Sequence, residues 1–511
     1  MIKKNDILTG TVQSFGSDGE GVLRMEDYVF FVPYALPGEK ISFRVLKIQG
    51  KIGYGKVEEI FVPSPDRVSP VCPVFHTCGG CGLQHMNYAL QTEYKREKVK
   101  NALLKIGGVE AEVSPVVPCA SPYGYRNKLQ LPVGVDGNGN TVLGFYAERS
   151  HRIVPIDRCY IHPEWSAKLI AVFKEYLACS GTKGYDERAK KGLIRHLVAR
   201  EIDGKYLVTI VATEKNLPEK ELLIEKLQTA FPGCSAFVNV NKSDSNVIFG
   251  DRFYSLCGAE HIEGETDGIA YEAGAETFVQ VNPEIREKLY ERAMEACFAG
   301  GAEVVIDAYS GGGLMTAMAA RRAKRAYGIE LNAEASACAE SLKKKNNLAN
   351  MTNVCGDAAA ELPRIMAEEN GEKTVLILDP PRAGVARSVL YAILKSKIER
   401  FVMISCDPAT LARDLGILTG TLVEKDGVLI KNTAGARDNR ENNYFRIESV
   451  EPFDMFPQTK HVETLVVLSH KKPDSHLEVK IDFDNTALDK TAIAERAETR
   501  KPQEKTTYKN M

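Results

Sequence analysis

The sequence of 511 residues lacks three features that would each assign it to a large class of proteins. It has no apolar run long enough to span a bilayer. Its N-terminus, MIKKNDILTG, carries two lysines without an apolar stretch behind them, so we expect no signal peptide and a cytoplasmic protein. It also has no excess of positive charge, because 66 Lys and Arg residues stand against 68 Asp and Glu residues. Any site for a polyanion must therefore be a local patch.

The 12 cysteines do not indicate a disulfide framework, because such frameworks are rare in the cytoplasm. Three of them, Cys72, Cys78 and Cys81, lie close together among glycines that let the backbone wrap closely around a ligand. Cys159, on a polar turn, is the best candidate for a fourth partner. Soft thiolates select zinc or an iron–sulfur cluster. The spacing does not choose between these two, and four unrelated thiols are the remaining alternative.

Changes in composition and periodicity divide the chain into five segments. The first shows short β-rich runs between Gly-rich turns, which is typical of a small barrel. The fourth alternates strands with helices, which predicts an α/β fold with a doubly wound parallel sheet. The predicted segments are an OB-like barrel (1–62), a cysteine segment (63–92), a central α+β domain (93–270), an α/β domain (271–472) and a polar tail or incomplete appendage (473–511).

Basic and aromatic residues occur together in the barrel and in the central domain. In the barrel they suit RNA backbone and base faces, with a structural barrel and an aromatic core as the alternative; they are Phe30, Phe31, Arg44, Lys47 and Lys51. In the central domain they suit phosphates and splayed bases, and a solvated face explains them equally well. The central set is Arg126, Lys128, Arg149, His151, Arg152 and Arg158 beside Tyr123, Tyr125 and Tyr146.

A Gly-rich loop and three strand-end acids predict a nucleoside cofactor in the fourth segment. Asp307 precedes Gly311-Gly312-Gly313, where the missing side chains let the backbone approach a ligand. Glu330 ends the next strand, where an acid can bind both ribose hydroxyls, and Asp357 ends the third. The loop lacks the three-glycine dinucleotide fingerprint. The acids suit the adenosine of S-adenosyl-L-methionine (SAM), which has no phosphates, and three helix-capping acids are the alternative.

Two more strand ends, within residues 374–415, carry polar residues. The first ends in Asp379-Pro380-Pro381-Arg382 and the second in Ser405-Cys406-Asp407-Pro408. In open α/β sheets the ligand crevice lies at the carboxyl ends of the strands, so Cys406 is a candidate nucleophile. A helix starting near Pro408 favours its thiolate, whereas the neighbouring carboxylate of Asp407 opposes it. A buried structural cysteine is the alternative.

Two sets of motifs resemble known families. The stretch DILTGTVQSFGSDGEGV…VFFVPYALPGEKISFRV resembles the TRAM domain, an RNA-binding barrel of several RNA-modifying enzymes. The motifs LDPPRAG, ISCDPATLARD and DMFPQTKHVETLVVL resemble those of SAM-dependent RNA uracil-C5 methyltransferases of the RumA/RlmD type. This resemblance spans about residues 1–470. It implies a Rossmann-like class I methyltransferase fold and 23S ribosomal RNA as the substrate, and we expect a monomer.

The resemblance also implies roles for individual residues. Cys406 would add to C6 of uracil, and Glu463 would remove the C5 proton. The implied cofactor-binding residues are Gln280, Tyr309, Leu314, Glu330, Asp357 and Asp379. The implied ligands of a [4Fe–4S] cluster are Cys72, Cys78, Cys81 and Cys159. Leu314 departs from the small polar residue or Asn that is usual there, and residues 422–447 exceed the usual spacing, which predicts an inserted polar loop.

Two alternatives to this function differ in substrate or in class. A tRNA uracil-C5 methyltransferase usually lacks the TRAM domain and the cysteine cluster, so both features favour ribosomal RNA. A non-catalytic RNA-binding iron–sulfur protein would have no need for Cys406 and Glu463 together. The sequence does not identify the modified uridine, the number of sites or a redox role for the cluster.

Overall fold

The computed structural model describes residues 2–369, 372–432 and 444–470. The predicted tail, 473–511, and residues 433–443 of the predicted insertion lie outside the described residues. Within the described ranges, no helix is both long and apolar enough to cross a membrane.

The first six strands form one sheet with a small apolar core. They are β1 (Ile7–Thr11), β2 (Ser14–Phe15), β3 (Gly21–Met25), β4 (Tyr28–Val32), β5 (Lys40–Gln49) and β6 (Ile52–Val62), in the order β1-β5-β6-β4-β3-β2. Phe30 and Phe43 fill the core, because alternate side chains of a strand point to the same face. Phe31, on the other face of β4, stacks on Tyr54 with ring centroids 6.1 Å apart. The core alternative therefore holds for Phe30, and Phe31 stays a candidate for RNA contact.

A seven-stranded sheet with helices on one face forms the middle of the chain. Its elements follow α1 (Tyr88–Ala102) and a π-helical turn (Leu103–Gly107); they are β7 (Lys128–Val135), β8 (Thr141–Tyr146), β9 (Ile153–Pro155), α2 (Glu164–Ser180), β10 (Ile194–Ile202), β11 (Lys205–Ala212), α3 (Lys220–Ala230), β12 (Ser235–Val240) and β13 (Arg252–Cys257). The strand order is β13-β12-β11-β10-β7-β8-β9. Leu129 and Leu131 pack on α2, so Lys128 and Gln130 point to the opposite face.

The last part of the described chain is a Rossmann-like α/β unit, which confirms the predicted fold class. After a hairpin of β14 (Ile262–Thr266) and β15 (Ile269–Ala273), its elements are α4 (Pro283–Phe298), β16 (Val304–Ala308), α5 (Leu314–Ala320), β17 (Arg325–Glu330), α6 (Ala333–Lys345), β18 (Met351–Cys355), α7 (Ala358–Glu368), β19 (Thr374–Leu378), α8 (Arg387–Leu394), β20 (Arg400–Ser405), α9 (Pro408–Thr419), β21 (Leu422–Lys425), β22 (Val428–Lys431), β23 (Phe445–Phe453) and β24 (Glu463–His470). The strand order is β18-β17-β16-β19-β20-β24-β23, with β21 and β22 forming a separate hairpin.

Helices cover both faces of this sheet because its strands are apolar on both sides. Val305 and Ile377 pack with α4 to α6, whereas Ile306 and Leu376 pack with α7 to α9. The five adjacent strands β18, β17, β16, β19 and β20 are parallel. Strand β24 joins this sheet antiparallel to β20. The chain order reverses at β16, between β17 and β19, which is where open α/β sheets bind their ligands.

Candidate active site

A cavity of about 510 Å³ lies where the loops after β16, β19 and β20 meet. Six of the eight residues predicted for catalysis and cofactor binding line it: Cys406, Glu463, Gln280, Tyr309, Leu314 and Asp379. Gln280 reaches it from the segment before α4, whose first turn is capped by Asn282. The reversal of strand order and the cavity thus coincide, as the fold class leads us to expect.

Strand register brings Cys406 and Glu463 to one rim of the sheet. Ser405, at the end of β20, pairs with Thr464, at the start of β24. Because the two strands are antiparallel, the next position outward on each is Cys406 and Glu463. Cys406 is half-buried, and Glu463 is 4% exposed. An antiparallel neighbour therefore delivers a buried carboxyl to the rim where the parallel strands end.

The thiol of Cys406 is neutral in the free protein. Burial, reinforced by the neighbouring Glu463, raises its pKa to about 11, although Arg382 acts in the opposite direction. The start of α9 gives it little help, because the carboxylate of Asp407 accepts hydrogen bonds from the backbone N–H of Ala409 and Thr410, at 2.8 and 3.0 Å. Burial and Glu463, and not the charge of Asp407, are what raise the pKa of this thiol.

Two carboxyls, from the buried Glu463 and the half-buried Asp379, lie near this thiol with pKa values near neutrality. Burial raises the pKa of Glu463 to about 8, with a further increase from Asp379 and a decrease from Arg382. Burial and then the charge of Asp307 raise the pKa of Asp379 to about 7. A carboxyl that titrates near pH 7 can both accept and return a proton, which is what a general base needs.

The loop after β16 has a strained backbone that Glu330 holds in place. Tyr309 has a φ of 130°, which is unusual for a residue with a side chain. A Cβ atom at Gly313 would lie 2.8 Å from that of Ala339, so α5 packs on α6 only with glycine there. The carboxylate of Glu330 accepts from the backbone N–H of Gly311 at 2.9 Å. The ordering of this loop therefore depends on the acid that ends β17.

The remaining two predicted cofactor residues lie outside the main cavity. Glu330 lines an adjoining cavity of about 1090 Å³, which shares Gly311 and Gly312 with the first. Asp357 lines neither cavity, and its carboxylate accepts from the N–H of Ala359 at 2.9 Å as the cap of α7. The capping alternative fits Asp357, and its predicted cofactor contact stays a prediction.

Arg382 and His461 also line the main cavity, although sequence analysis did not assign a role to either of them. Arg382 is the group that lowers the pKa of both Cys406 and Glu463. Both residues could have been found from their closeness in sequence to predicted site residues. Arg382 ends the Asp379-Pro380-Pro381-Arg382 stretch, and His461 stands two residues before Glu463.

The loop before Glu463, residues 454–461, is fixed by groups from distant parts of the chain. The fully buried ammonium of Lys95, on α1, forms a salt bridge with Asp454 and donates to the carbonyl of Phe456 at 3.0 Å. The hydroxyl of Tyr125 donates to the carbonyl of Pro457 at 3.0 Å. Tyr125 is therefore a buried anchor of this loop and is not available to stack on RNA bases.

Gln458 connects the same loop to the cysteine segment. Its carbonyl accepts from the backbone N–H of Gly82 and of Leu83, at 3.1 and 3.0 Å. Its side chain and backbone N–H exchange hydrogen bonds with the side chain of Gln91, at 3.0 and 3.1 Å. The position of Glu463 thus depends on residues near the predicted cluster.

The four predicted cluster ligands, Cys72, Cys78, Cys81 and Cys159, line one cavity of about 280 Å³. Burial, with a smaller contribution from the other thiols, raises the pKa of Cys81 and of Cys159 to about 12. Among the described residues, no group of three or more His, Cys, Asp or Glu is arranged to hold a metal ion. The structure brings the four thiols together, and it does not show a metal site.

The thiol cavity and the main cavity are neighbours. Four residues line both, namely Arg126, Arg382, Phe456 and His461. A structural change around the four thiols can therefore be transmitted to the main cavity through these shared side chains.

Comparisons with known proteins agree with this geometry. The tRNA (Uracil-5-)-methyltransferase family matches residues 258–429. The chain is 39% identical, over 474 residues, to an uncharacterized RNA methyltransferase of Halalkalibacterium halodurans, covering 92% of this chain and 98% of that protein. It is 36% identical to an uncharacterized RNA methyltransferase of Clostridium tetani, covering 92% and 97%.

A solved structure extends the likeness to three dimensions. The tRNA (uracil-54, C5)-methyltransferase of Pyrococcus abyssi, in complex with S-adenosyl-L-homocysteine, superposes with a TM-score of 0.69 at 28% identity. The overlap covers 90% of this chain and 99% of that one. The chain belongs to the family of SAM-dependent RNA uracil-C5 methyltransferases.

Proposed function

We propose that this enzyme methylates C5 of a uridine in 23S ribosomal RNA through a covalent adduct on Cys406. The observation that carries the proposal is the register of β20 and β24, which sets Cys406 beside Glu463 in the cavity of the Gly-rich loop. A nucleophile, a base and a cofactor loop around one cavity suit a transfer that passes through a covalent intermediate.

Each step gives one of these residues a task. Uracil C5 is a poor nucleophile, so the thiolate of Cys406 adds to C6 and turns the ring into an enolate. C5 then bonds to the methyl carbon of SAM, and the bond from that carbon to the sulfonium sulfur breaks. Glu463 takes the C5 proton, the bond from Cys406 to C6 breaks, and the ring regains its C5–C6 double bond. Splitting one hard step in this way is the advantage of covalent catalysis.

The buried carboxyls suit the two proton transfers of this cycle. Cys406 must give up its proton as it attacks, because its pKa is about 11. Asp379 takes that proton, which leaves Glu463 free to accept the C5 proton. The pKa values of Asp379 and Glu463, about 7 and 8, lie near the working pH, where general bases are most efficient. Arg382 stabilises the anionic forms of both Cys406 and Glu463.

The residues around the cavity fit SAM, which supplies an electrophilic methyl group when bound. Cβ atoms at Gly311 and Gly312 would meet nothing within 4 Å, so the loop leaves room for a ligand against its backbone. We assign the cofactor contacts to Gln280, Tyr309, Leu314, Glu330, Asp357 and Asp379. The carboxylate of Glu330 also orders the loop itself, so its substitution should weaken SAM binding in two ways.

The choice of 23S rRNA rests on the TRAM-like sequence of the first sheet and on the four clustered thiols. A tRNA substrate is the second candidate, and a specific observation favours it. The Pyrococcus abyssi enzyme, whose name specifies tRNA, covers 90% of this chain, which requires part of residues 1–62. An N-terminal sheet is therefore compatible with either RNA.

Mapping 5-methyluridine in the rRNA and tRNA of a deletion strain and its parent decides between the two substrates. We expect one or more uridines of 23S rRNA to lose the methyl group and tRNA to be unchanged. Loss confined to tRNA would establish the second candidate, and no loss in either RNA would remove the proposal.

Trapping with 5-fluorouridine tests the chemistry. Fluorine at C5 cannot leave as a proton, so RNA with 5-fluorouridine at the mapped position should stay bonded to Cys406 after methyl transfer. A gel shift that survives denaturation, absent for Cys406→Ala, is the expected result. An adduct that still forms on Cys406→Ala would contradict the assignment of the nucleophile.

We propose further that Cys72, Cys78, Cys81 and Cys159 hold a [4Fe–4S] cluster. Four thiols around one cavity match the number of ligands and suit a group larger than one ion. The N–H of Gly80 donates to the sulfur of Cys78 at 3.4 Å, a contact of the kind that cluster thiolates accept. When bound, such a cluster would cross-link residues 72–81 to Cys159. Stoichiometric iron and acid-labile sulfide in anaerobically purified protein support this, and zinc without iron overturns it.

A further inference from the structure

A fourth cavity, of about 660 Å³, adjoins the main cavity on the side of the central sheet, and we call it the basic cavity. Arg126, Phe278, Val279 and Val281 line both cavities. Four Lys and Arg side chains line the basic cavity, and one of them, Arg195, donates to the carbonyls of Asn241 and Ser243. We call the other three, Arg126, Lys128 and Arg200, the cationic cluster. No step of the proposed reaction uses Lys128 or Arg200.

The cationic cluster is electrostatically unfavourable within the folded chain. Arg200 on β10 stands directly opposite Lys128 on β7 in the antiparallel ladder. Like charges in this relation destabilise a sheet, and burial makes the repulsion stronger. Arg200 is only 3% exposed, and Lys128 is half-buried. Burial, together with Arg200 and Arg126, lowers the pKa of Lys128 to about 8.

No carboxylate of the described part of the chain offsets this charge. Glu187, which lines the same cavity, contacts His151 at 2.8 Å and the hydroxyl of Tyr146 at 3.1 Å instead. One terminal nitrogen of Arg200 donates to the carbonyl of Thr277, while the other, Nη1, has no hydrogen-bond partner among the described residues. Arginine cannot relieve the cost by losing its proton. A buried guanidinium nitrogen without a partner can take an acceptor from outside the described chain, and an anionic acceptor would also offset the charge.

We propose that the cationic cluster binds a backbone phosphate of the substrate RNA, on a nucleotide next to the target uridine. The inference rests on the proposed function, since it places the target uridine in the neighbouring cavity that holds Cys406. A phosphate supplies the missing negative charge, and charge-assisted bonds from guanidinium groups are the stronger kind. The shared wall makes the bound nucleotide a neighbour of the target along the strand.

Lys128→Gln separates this role from a structural one. We expect it to weaken binding of the RNA by roughly tenfold. We also expect the slope of log Kd against log salt concentration to fall by about one, because one phosphate contact is lost. We also expect an equal or higher thermal stability, because the variant removes a repulsion. Lys174→Gln is the matched control, since Lys174 lies on α2, against the opposite face of the same sheet, paired with Asp157 at 2.6 Å.

A neutral phosphate in the RNA gives the second arm of the test. RNAs that carry one methylphosphonate at successive positions around the mapped uridine are bound to wild-type protein, Lys128→Gln and Lys174→Gln. One position next to the target should weaken wild-type and Lys174→Gln binding and leave Lys128→Gln unaffected. Equal losses in all three proteins at every position would overturn the proposal. If Lys128→Gln proves unstable, the wild-type series alone still tests the proposal. A wild-type series without one sensitive phosphate position would refute it.

Failure of the proposed function can be distinguished from failure of the anion site. If no RNA of the deletion strain lacks a methyl group, single-stranded oligouridylate serves as the binding probe for the same three proteins. Weaker and less salt-dependent binding by Lys128→Gln alone would retain the anion site and reject only the methylation target. Equal binding by all three proteins would reject the anion site itself.

Discussion

The main cavity, which holds Cys406, and the basic cavity share a wall, yet their ionisable groups respond to burial in different ways. In the main cavity, burial raises the pKa of Asp379 to about 7 and that of Glu463 to about 8. In the basic cavity, Lys128 and Arg200 lie opposite each other, and the carboxylate of Glu187 contacts His151 and Tyr146 instead of these cations. Carboxyls can relieve burial by taking up a proton, whereas arginine keeps its charge. We therefore propose that protons from solvent balance the carboxyls of the main cavity and that a ligand balances the cations of the basic cavity.

A third pair of buried charges shows what a purely structural solution is. Lys95 and Asp454 are both fully buried and neutralise each other directly. Lys95 is paired with a carboxylate of the chain, whereas Lys128 has none among the described residues. The difference between these two lysines can be tested by replacing each one and measuring the free energy of unfolding.

The largest expected effect on activity comes from a substitution in the main cavity. Glu463→Gln keeps the shape and removes the base, so methyl transfer should still occur while release of Cys406 from C6 stops. We expect turnover to fall on the order of 10²- to 10⁴-fold, with covalent protein–RNA adduct accumulating on ordinary uridine RNA. Single-turnover kinetics and denaturing gels measure both quantities, and full turnover in this variant would remove Glu463 from its role.

Loss of Lys95 should be the largest change in stability. Lys95→Met leaves Asp454 buried without a partner, and we expect the free energy of unfolding to fall by about 3–5 kcal/mol. Urea denaturation measures it, with Lys128→Gln as the comparison, for which we expect no loss. Similar losses for the two lysines would break the distinction between a paired and a ligand-dependent cation.

The buried carboxyls should make stability depend on pH. Their folded pKa values lie above the unfolded values of about 4, so the folded protein holds more protons and is most stable below about pH 4 on their account. This contribution is lost as pH rises through the folded pKa values, about 7 to 8. The unfolding free energy of wild type minus that of Glu463→Gln should fall with pH, by at most about 1.4 kcal/mol per pH unit. A difference that rises with pH between 5 and 7.5 would contradict the assigned pKa.

The smallest effect is expected at the rim between the cavities. Phe278 lines both and is 75% exposed, so its ring is available to stack on a base. Phe278→Ala should weaken RNA binding by about 1 kcal/mol and leave the unfolding free energy unchanged. Fluorescence anisotropy with the mapped RNA measures the first, and unchanged affinity would limit recognition to the phosphate.

Local patterns in the sequence predicted the sheet and most of the site, because each strand end carries its polar residues with it. Asp379 and Cys406 were found in this way, directly after β19 and β20. Asp357 was found in the same way, and its carboxylate caps α7, since a strand-end acid and a helix cap look alike in sequence. A pattern within one segment cannot tell these two roles apart.

The partners that depend on pairing between distant strands could not be read from local patterns. The placement of Arg200 opposite Lys128 is a register between strands about 70 residues apart in the chain. The neighbourhood of Cys406 and Glu463 was implied only by family resemblance, and its physical cause is the antiparallel entry of β24. The core position of Phe30 and the exposed stacking of Phe31 on Tyr54 likewise needed the register of the first sheet.

The contacts of Gln458 have a consequence for the order of events during synthesis. Gln91 and Gln458 are separated by 367 positions, so their hydrogen bonds form only after nearly the whole described chain has left the ribosome. Until then the loop before Glu463 has no anchor on the cysteine segment, and β20 lacks its neighbour β24. In the proposed mechanism, the nascent chain therefore contains the nucleophile, Cys406, before the base, Glu463, which joins the site only when β24 pairs with β20.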